Sequence, residues 1–378
     1  MTIPHCLSRI VVGTVVFTCS GAAAAHSTNE TPPPIERKIS TFSIRLTKQG
    51  YTHFAPGSAI VAGSTPVKIL AVAARNSKDI WILTDSGVVL QDDGKQITFR
   101  QAKPCGWGEA NADSGWLGSR LYNIVVDEAH VHVFGEYRDT NTRVGGERRA
   151  SLARNGKWTC SERSLVPDHL HASGTLTWRA AHNMDDDACR IGSLAGHCTS
   201  GPRFAPTHID PPRDGIDMGI YNVALWMHAP DDGWVVTKDE LFQPVLYRFN
   251  GVTWAKVVKF DEGQHIHAMW ADEQHHVWLT AGAGRPWESH ATMLLRYDGK
   301  TLAQMPTPAS FSTRIVRGSS SRNVWFGGAG DMVYQWDGSR LRQAQLSGDV
   351  GSISVSPDGA AFFALPEAIA FALPEEKR

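Results

Sequence analysis

The chain has 378 residues, of which 42% are hydrophobic and 20% are charged, and this composition excludes wholesale disorder. The 37 Lys and Arg residues almost balance the 38 Asp and Glu residues. The chain therefore lacks the positive surplus that a protein needs when its main partner is nucleic acid or an anionic membrane.

Residues 1–25 have the features of a secretory signal peptide. Arg9 is their only charge, an apolar stretch covers residues 10–17, and the segment ends in four alanines. We expect cleavage before His26 and a periplasmic or secreted protein. The apolar stretch is too short to span a bilayer, and we expect no transmembrane segment elsewhere. Lipoprotein anchoring at Cys19 is the alternative, although bulky residues precede that cysteine.

Residues 26–41 are polar and contain three consecutive prolines. This composition predicts an extended leader. The first predicted strand follows at residues 42–49.

A repeat begins after this strand. Each copy has a polar turn, an apolar strand with a tryptophan at the same place, and a strand that ends in Asp-Gly or Asn-Gly. These dipeptides are a strong hairpin signal, because a type I′ turn needs positive φ at both central residues. We expect the tryptophans to pack between repeats. They are Trp81, Trp234, Trp278 and Trp325.

Each repeat also has a short strand before the tryptophan strand, and none shows helical periodicity. Four-stranded units that recur every ~47 residues are typical of β-propeller blades. The predicted first strands of seven blades begin at Lys68, Tyr122, Trp178, Tyr221, His265, Thr313 and Gly351.

The last repeat has only three strands, and we expect residues 42–49 to supply its fourth. That exchange would close the ring and remove an open sheet edge. The prediction is therefore an all-β chain with a single seven-bladed β-propeller of four-stranded blades over residues 42–374, followed by a tail at 375–378.

The recurring apolar-Trp-x-x-Gly and Tyr-Asp-Gly pattern resembles that of secreted bacterial β-propeller proteins, including sensor, assembly-factor and BNR-like propellers. The resemblance covers about residues 42–374 and implies the fold rather than an activity. The chain departs from sialidases, since it has no S-x-D-x-G-x-x-W box.

Four cysteines remain after removal of the signal peptide, and an even number in an exported chain favours two disulfides. We predict the pairs Cys105–Cys160 and Cys189–Cys198. No short Cys-x-x-Cys spacing indicates zinc.

All the long predicted loops fall on the propeller face where the first strands begin, which favours a binding face there. The first-strand starts add aromatic, Arg and Asn side chains around the channel mouth, which suit a polar or anionic ligand. Packing between blades is the alternative role for these residues. The candidate ligand-binding residues are Lys68, Tyr122, Asn123, Trp178, Arg179, Tyr221, Asn222, His265 and Arg314.

No motif indicates a cofactor, and we expect no metal. The pairs His130/His132 and His265/His267 share strand faces, but such pairs arise by chance in a chain with sixteen histidines. The glycine-rich stretches lack the following helix that a phosphate loop needs.

Three hypotheses for the function fit these observations. The favoured hypothesis is an exported, monomeric binding or scaffold propeller for a glycan, a cell-envelope component or a protein partner. The alternatives are a lyase-type enzyme on an acidic carbohydrate, in which Arg179 and Arg314 would neutralise the carboxylate, and a cell-envelope assembly factor.

Overall fold

The computed structural model describes residues 31–55, 58, 63–102, 116–139, 145–163, 169–173, 176–180, 191–193, 198–199, 224–238, 243–261, 263–283 and 292–374. This part of the chain contains strands and turns but no helix, and hence no helix that is long and apolar enough to cross a membrane.

The described strands are numbered in chain order and grouped into seven sheets. The N-terminal strands are β1 (Ile39–Thr47), β2 (Gly50–Phe54) and β3 (Thr65–Pro66). Sheet 1 contains β4 (Ile69–Asn76), β5 (Asp79–Thr84), β6 (Val88–Asp92) and β7 (Ile97–Ala102). Sheet 2 contains β8 (Trp116–Val126), β9 (His130–Asp139), β10 (Gly145–Ala153) and β11 (Trp158–Arg163). Sheet 3 contains β12 (His169–Ser173), β13 (Leu176–Ala180), β14 (Ile191–Ser193) and β15 (Cys198–Thr199).

The remaining strands follow the same pattern. Sheet 4 contains β16 (Ala224–Ala229), β17 (Asp232–Lys238), β18 (Pro244–Phe249) and β19 (Trp254–Lys259). Sheet 5 contains β20 (Gln264–Ala271), β21 (Val277–Ala283), β22 (Met293–Tyr297) and β23 (Leu302–Met305). Sheet 6 contains β24 (Ile315–Ser320), β25 (Asn323–Gly327), β26 (Met332–Trp336) and β27 (Leu341–Gln345). The last strands are β28 (Ser352–Val355), β29 (Ala361–Ala364) and β30 (Ala368–Ala372).

Sheets 1–6 are four-stranded, antiparallel and ordered as in the chain. Sheet 7 has six strands in the order β2-β1-β30-β29-β28, with β3 beside β1. The pairing of β1 with β30 runs from Ile39 opposite Ala372 to Ser43 opposite Ala368. Strands from both ends of the described chain therefore lie in one sheet.

The predicted hairpins form, but their turns differ from the expected type. In the turns between the third and fourth strands of sheets 1, 2, 4, 5 and 6, the glycine of the Asp-Gly or Asn-Gly pair has positive φ, whereas the preceding Asp or Asn does not. In the turn at Asp298, the carboxylate Oδ1 accepts hydrogen bonds from the N–H groups of Lys300 and Thr301, at 2.9 and 2.7 Å. This local acceptor stabilises a four-residue turn, so only the glycine adopts the left-handed conformation.

The first strands of successive sheets contact one another in the order β4, β8, β12, β16, β20, β24 and β28, and β28 also contacts β4. Sheet 3 differs from the prediction, because β12 is its first strand. Trp178 and Arg179 lie in β13, the second strand, so the expectation that they begin a first strand is wrong. Tyr122 lies in the middle of β8 rather than at its start.

The hydrophobic core lies between neighbouring sheets rather than at one centre. One cluster joins sheets 4 and 5 through Trp234 and Met269, and another joins sheets 5 and 6 through Trp278 and Phe326. Trp234, Trp278 and Trp325 are fully buried. The prediction that this tryptophan column packs between repeats is confirmed.

The leader is not a free tether over its whole length. Its residues 33–35 run beside β27, with Ile35 N donating to Gln343 O at 3.1 Å and Gln343 N donating to Pro33 O at 3.0 Å. The Arg342 guanidinium lies 2.6 Å from the Glu36 carboxylate. This segment therefore covers part of the outer edge of sheet 6.

Candidate ligand-binding channel

A cavity lies among the first strands, near the ends at which they finish, and has a volume of about 490 Å³. Its wall contains residues from β4, β8, β16, β20, β24 and β28 and from the turns that follow them. Small residues such as Ala73, Gly318 and Ser352 occupy these strands, which allows the strands to approach one another closely around the cavity.

Two tryptophans form an aromatic part of the wall. Trp226 and Trp270, at equivalent places in β16 and β20, meet edge to face with ring centroids 5.8 Å apart. Trp270 also packs on Gly318 of β24, where a Cβ atom would lie only 2.8 Å from the indole. The missing side chain at Gly318 is therefore required for the position of Trp270.

Arg317 precedes that glycine and also lines the cavity. Its Nη1 donates to Val316 O at 2.8 Å, and it forms no ion pair with any described carboxylate. Because protein surrounds the guanidinium and displaces water, burial lowers the pKa of Arg317 to about 10. The side chain is still charged at neutral pH, and part of its surface is open to the cavity.

Arg75, in β4, is the second arginine of the wall and differs in its contacts. Its guanidinium donates to the backbone oxygens of Asp127 and His130 in the neighbouring sheet and to the Asp79 carboxylate at 2.8 Å. It also lies over the Trp81 ring, 5.8 Å from the centroid. Arg75 is therefore used to join sheets 1 and 2.

The serines of β28 also have structural partners. Ser354 Oγ accepts a hydrogen bond from Ala74 N at 2.9 Å, and Ser352 Oγ lies 3.3 Å from Val72 O. These bonds link β28 to β4 directly. The serine side chains thus connect sheets 7 and 1 while they form part of the cavity wall.

The rim of the cavity is acidic. Asp127 and Asp272 directly follow β8 and β20, and each accepts hydrogen bonds from the backbone of its own turn. Glu128 and Glu273 follow them and are exposed. The site therefore combines a positive charge within the channel with negative charges at its mouth.

Asp127, His130 and His132 form a group whose ligand atoms lie within 4.8 Å of one another. His132 already uses both ring nitrogens, with Nδ1 2.7 Å from Ser151 Oγ and Nε2 3.2 Å from Asp127 Oδ2. His132, Asp127 and Ser151 are buried, and burial lowers the pKa of His132. The three groups satisfy one another, which indicates a structural network rather than a metal site or a nucleophile.

Of the predicted ligand-binding residues, Asn123 lines the cavity, and its Oδ1 accepts a hydrogen bond from Ile124 N at 2.9 Å. Lys68 and Arg314 are exposed and His265 is half-buried; these three precede or begin first strands and do not line the described cavity. Tyr122, Trp178 and Arg179 are described only through the backbone of β8 and β13. Tyr221 and Asn222 lie outside the described residues.

Arg317 and the two wall tryptophans were not predicted, because they lie near the ends of the first strands and the predicted site lies at the starts of those strands. An informative signal was present in "IVRGSS" at 315–320, where a lone arginine interrupts an inner strand. The long loops that favoured a binding face at the starts of the first strands lie largely outside the described residues. Among the cysteines, Cys160 lies in β11 and Cys198 in β15, whereas Cys105 and Cys189 are not described.

No family model matches the chain, and no curated protein matches it. Among solved structures, it is similar to YCF48 bound to D1 peptide, with a TM-score of 0.52, 10% identity and coverage of 91% of this chain and 100% of that one.

Two further structures give comparable values. Streptogramin B lyase has a TM-score of 0.51 and 12% identity, with coverage of 88% of this chain and 96% of that one. The WD40 β-propeller domain of Doa1 has a TM-score of 0.50 and 9% identity, with coverage of 90% and 98%. At these identities the likeness concerns the fold alone, and it shows that this chain has the all-β architecture of β-propeller proteins.

Proposed function

We propose that this chain is an exported binding or scaffold propeller whose ligand, a glycan or a segment of a protein partner, enters the central channel. The cavity of about 490 Å³ among the first strands carries this proposal. Its wall combines aromatic surface with the half-buried charge of Arg317, which is the composition of a ligand site rather than of a packed core.

Seven blades and a closed ring are part of the proposal. The contact of β28 with β4 and the pairing of β1 with β30 support closure. A closed ring would hold the cavity wall in one geometry, because each inner strand has a neighbour on both sides. The solved structure of a propeller, YCF48, with a bound peptide supports a binding role for such an architecture.

Export is proposed from residues 1–25, which have the composition of a signal peptide, with the mature protein in the periplasm or secreted. We also propose the disulfides Cys105–Cys160 and Cys189–Cys198. The disulfide-bonded state of Cys160 supports the first pair. Its place in β11 puts this cross-link at the outer edge of sheet 2.

A ligand screen on the mature protein tests the binding role. Thermal melting would be followed with neutral and acidic oligosaccharides and with a peptide library, and at least one class is expected to raise the melting temperature through preferential binding to the folded state. Ser321→Trp would then narrow the mouth, because Ser321 lines the cavity in the turn after β24. We expect a loss of affinity of about tenfold or more.

Val252→Trp is the matched control. Val252 lies in the turn between β18 and β19, is 88% exposed and does not line the cavity. Equal binding by both tryptophan variants would place the ligand elsewhere, including the long-loop face, and would contradict the channel site.

A further inference from the structure

We propose that the channel recognises a carboxylate group on a compact organic ligand, and that Arg317 binds this group. The proposal rests on the proposed function, since it assumes that the channel admits a ligand. It adds the chemical class of the ligand and the residue that selects it.

The first argument is the state of the Arg317 side chain. Within the described residues, one nitrogen of the guanidinium donates to Val316 O, and the others make no hydrogen bond. The Arg317 side chain is half-buried, so its charge is only partly hydrated, and proteins usually pair such groups. An arginine that lines a cavity with unused donors is therefore in the state expected before a ligand arrives.

The second argument is the contrast with Arg75. Both arginines line the same cavity, but Arg75 has three protein acceptors and an aromatic ring beneath it. An arginine can therefore line this cavity and still be paired with protein acceptors. Of these two arginines, only Arg317 has guanidinium N–H groups that remain available to a ligand.

The third argument is the chemistry of the unused donors. An arginine presents its N–H groups in a planar fork and accepts no hydrogen bond, so it favours an acceptor-only group. A carboxylate suits both the charge and the fork of the Arg317 side chain, which lines the cavity.

The negative charges at the rim narrow the class of ligand further. The exposed Glu128 and Glu273 at the rim repel a polyanion that must pass them, so a ligand with a single carboxylate is favoured over phosphorylated or polyacidic chains. Trp226, which is half-buried and lines the cavity, provides apolar surface for the body of the ligand.

The first test needs no ligand. In Arg317→Met the unpaired charge is replaced by an apolar side chain, and we expect the melting temperature to rise by about 2 °C or more. Arg75→Met is the matched control and is expected to lower the melting temperature, because it leaves buried acceptors unpaired. A lower melting temperature for Arg317→Met would assign Arg317 a structural role and overturn the proposal.

The second test measures binding by isothermal calorimetry and tryptophan fluorescence. The probes are glucuronate against glucose and N-acetylphenylalanine against its amide, which separate a sugar from a peptidic source of the carboxylate. At least one acidic probe is expected to bind wild type at least tenfold more tightly than its neutral counterpart, with the preference lost in Arg317→Met and reduced in Arg317→Lys.

The outcomes also separate the two proposals. Binding that is equal for acidic and neutral probes, or unchanged in Arg317→Met, overturns the carboxylate site. If such binding is still weakened by Ser321→Trp, the channel remains the binding site and only the role of Arg317 is wrong. Absence of binding by every acidic probe also counts against the carboxylate site, whereas the wider ligand screen decides the proposed function.

Discussion

At the scale of single residues, a side-chain acceptor connects the strands of sheet 1 beside Trp81 and those of sheet 6 beside Trp325. Asn323 Oδ1 accepts hydrogen bonds from Trp325 Nε1 at 2.8 Å and Gln335 Nε2 at 3.2 Å. In sheet 1, Asp79 accepts from Trp81 and Gln91 in the same way. These acceptors allow a large aromatic side chain to be buried without an unpaired N–H group.

Asn323→Ala should therefore destabilise the protein by about 2–4 kcal/mol, since it leaves Trp325 Nε1 buried without an acceptor. Asn323→Asp is the matched variant. It keeps the acceptor but loses the amide donor to Ser319 Oγ and Gly359 O. Urea unfolding of both variants measures the difference, and an alanine variant as stable as wild type would show that the network contributes nothing.

His132 gives a pH-dependent prediction. Burial lowers its pKa below the 6.5 of an unfolded histidine, although Asp127 opposes that shift. Between the folded and unfolded pKa values the unfolded state binds more protons, so the free energy of unfolding falls as the pH decreases below about 6.5. Because one proton is involved, the free energy of unfolding changes by at most about 1.4 kcal/mol per pH unit.

Unfolding of wild type and His132→Gln between pH 5 and 8 measures this contribution. The variant should be less stable at pH 8 and should lose less stability on acidification. His130→Gln, at the half-exposed neighbour, is the control. A His132→Gln variant with the slope of wild type would contradict the assignment.

At the scale of secondary-structure elements, the hairpins were predictable because their turn residues are local signals. The Asp-Gly and Asn-Gly pairs and the tryptophan strands all lie where periodicity placed them. Sheet 3 was misassigned, since Trp178 resembles the start of a first strand and only pairing with β12 shows otherwise. The cavity wall is built from six strands that are distant in sequence, and no local sequence pattern indicates which side chains meet there.

The sequence of the leader predicts only an extended segment, because a proline-rich stretch has no strand periodicity. The structure instead predicts that truncation to residue 38 lowers stability by about 1–3 kcal/mol relative to a chain that starts at residue 31. The loss combines two backbone hydrogen bonds to Gln343 with the contact of Glu36 and the partly buried Arg342.

Matched melting curves for chains that start at residues 31, 38 and 48 measure these steps. The third chain also lacks β1 and should be the least stable, because it exposes the edge of β30 and removes Ile44 from the core. Equal stability of the first two chains would show that the leader pairing contributes nothing in solution.

At the scale of the whole molecule, stability depends on contacts between neighbouring sheets. Five of the six core clusters in the described residues join neighbouring sheets, and the sixth covers one face of sheet 4. Loss of one interface therefore exposes two sheets at once. The proposed closure through β1 and β30 then determines whether the chain unfolds as one unit or frays from its ends.

A disulfide between β1 and β30 tests closure directly. Ser43 lies opposite Ala368, so Ser43→Cys with Ala368→Cys places two thiols across the pairing. Because this bond links positions that are distant in sequence, it should raise the free energy of unfolding by up to about 5 kcal/mol if the two strands pair in solution. Thermal melting of the double variant is compared with that of each single variant under non-reducing conditions, so that the native cysteines contribute equally. Thr41→Cys with Ala370→Cys tests the neighbouring pair of the same register. Failure of both pairs to oxidise, or oxidation without a gain in stability, would mean that β1 does not close the ring.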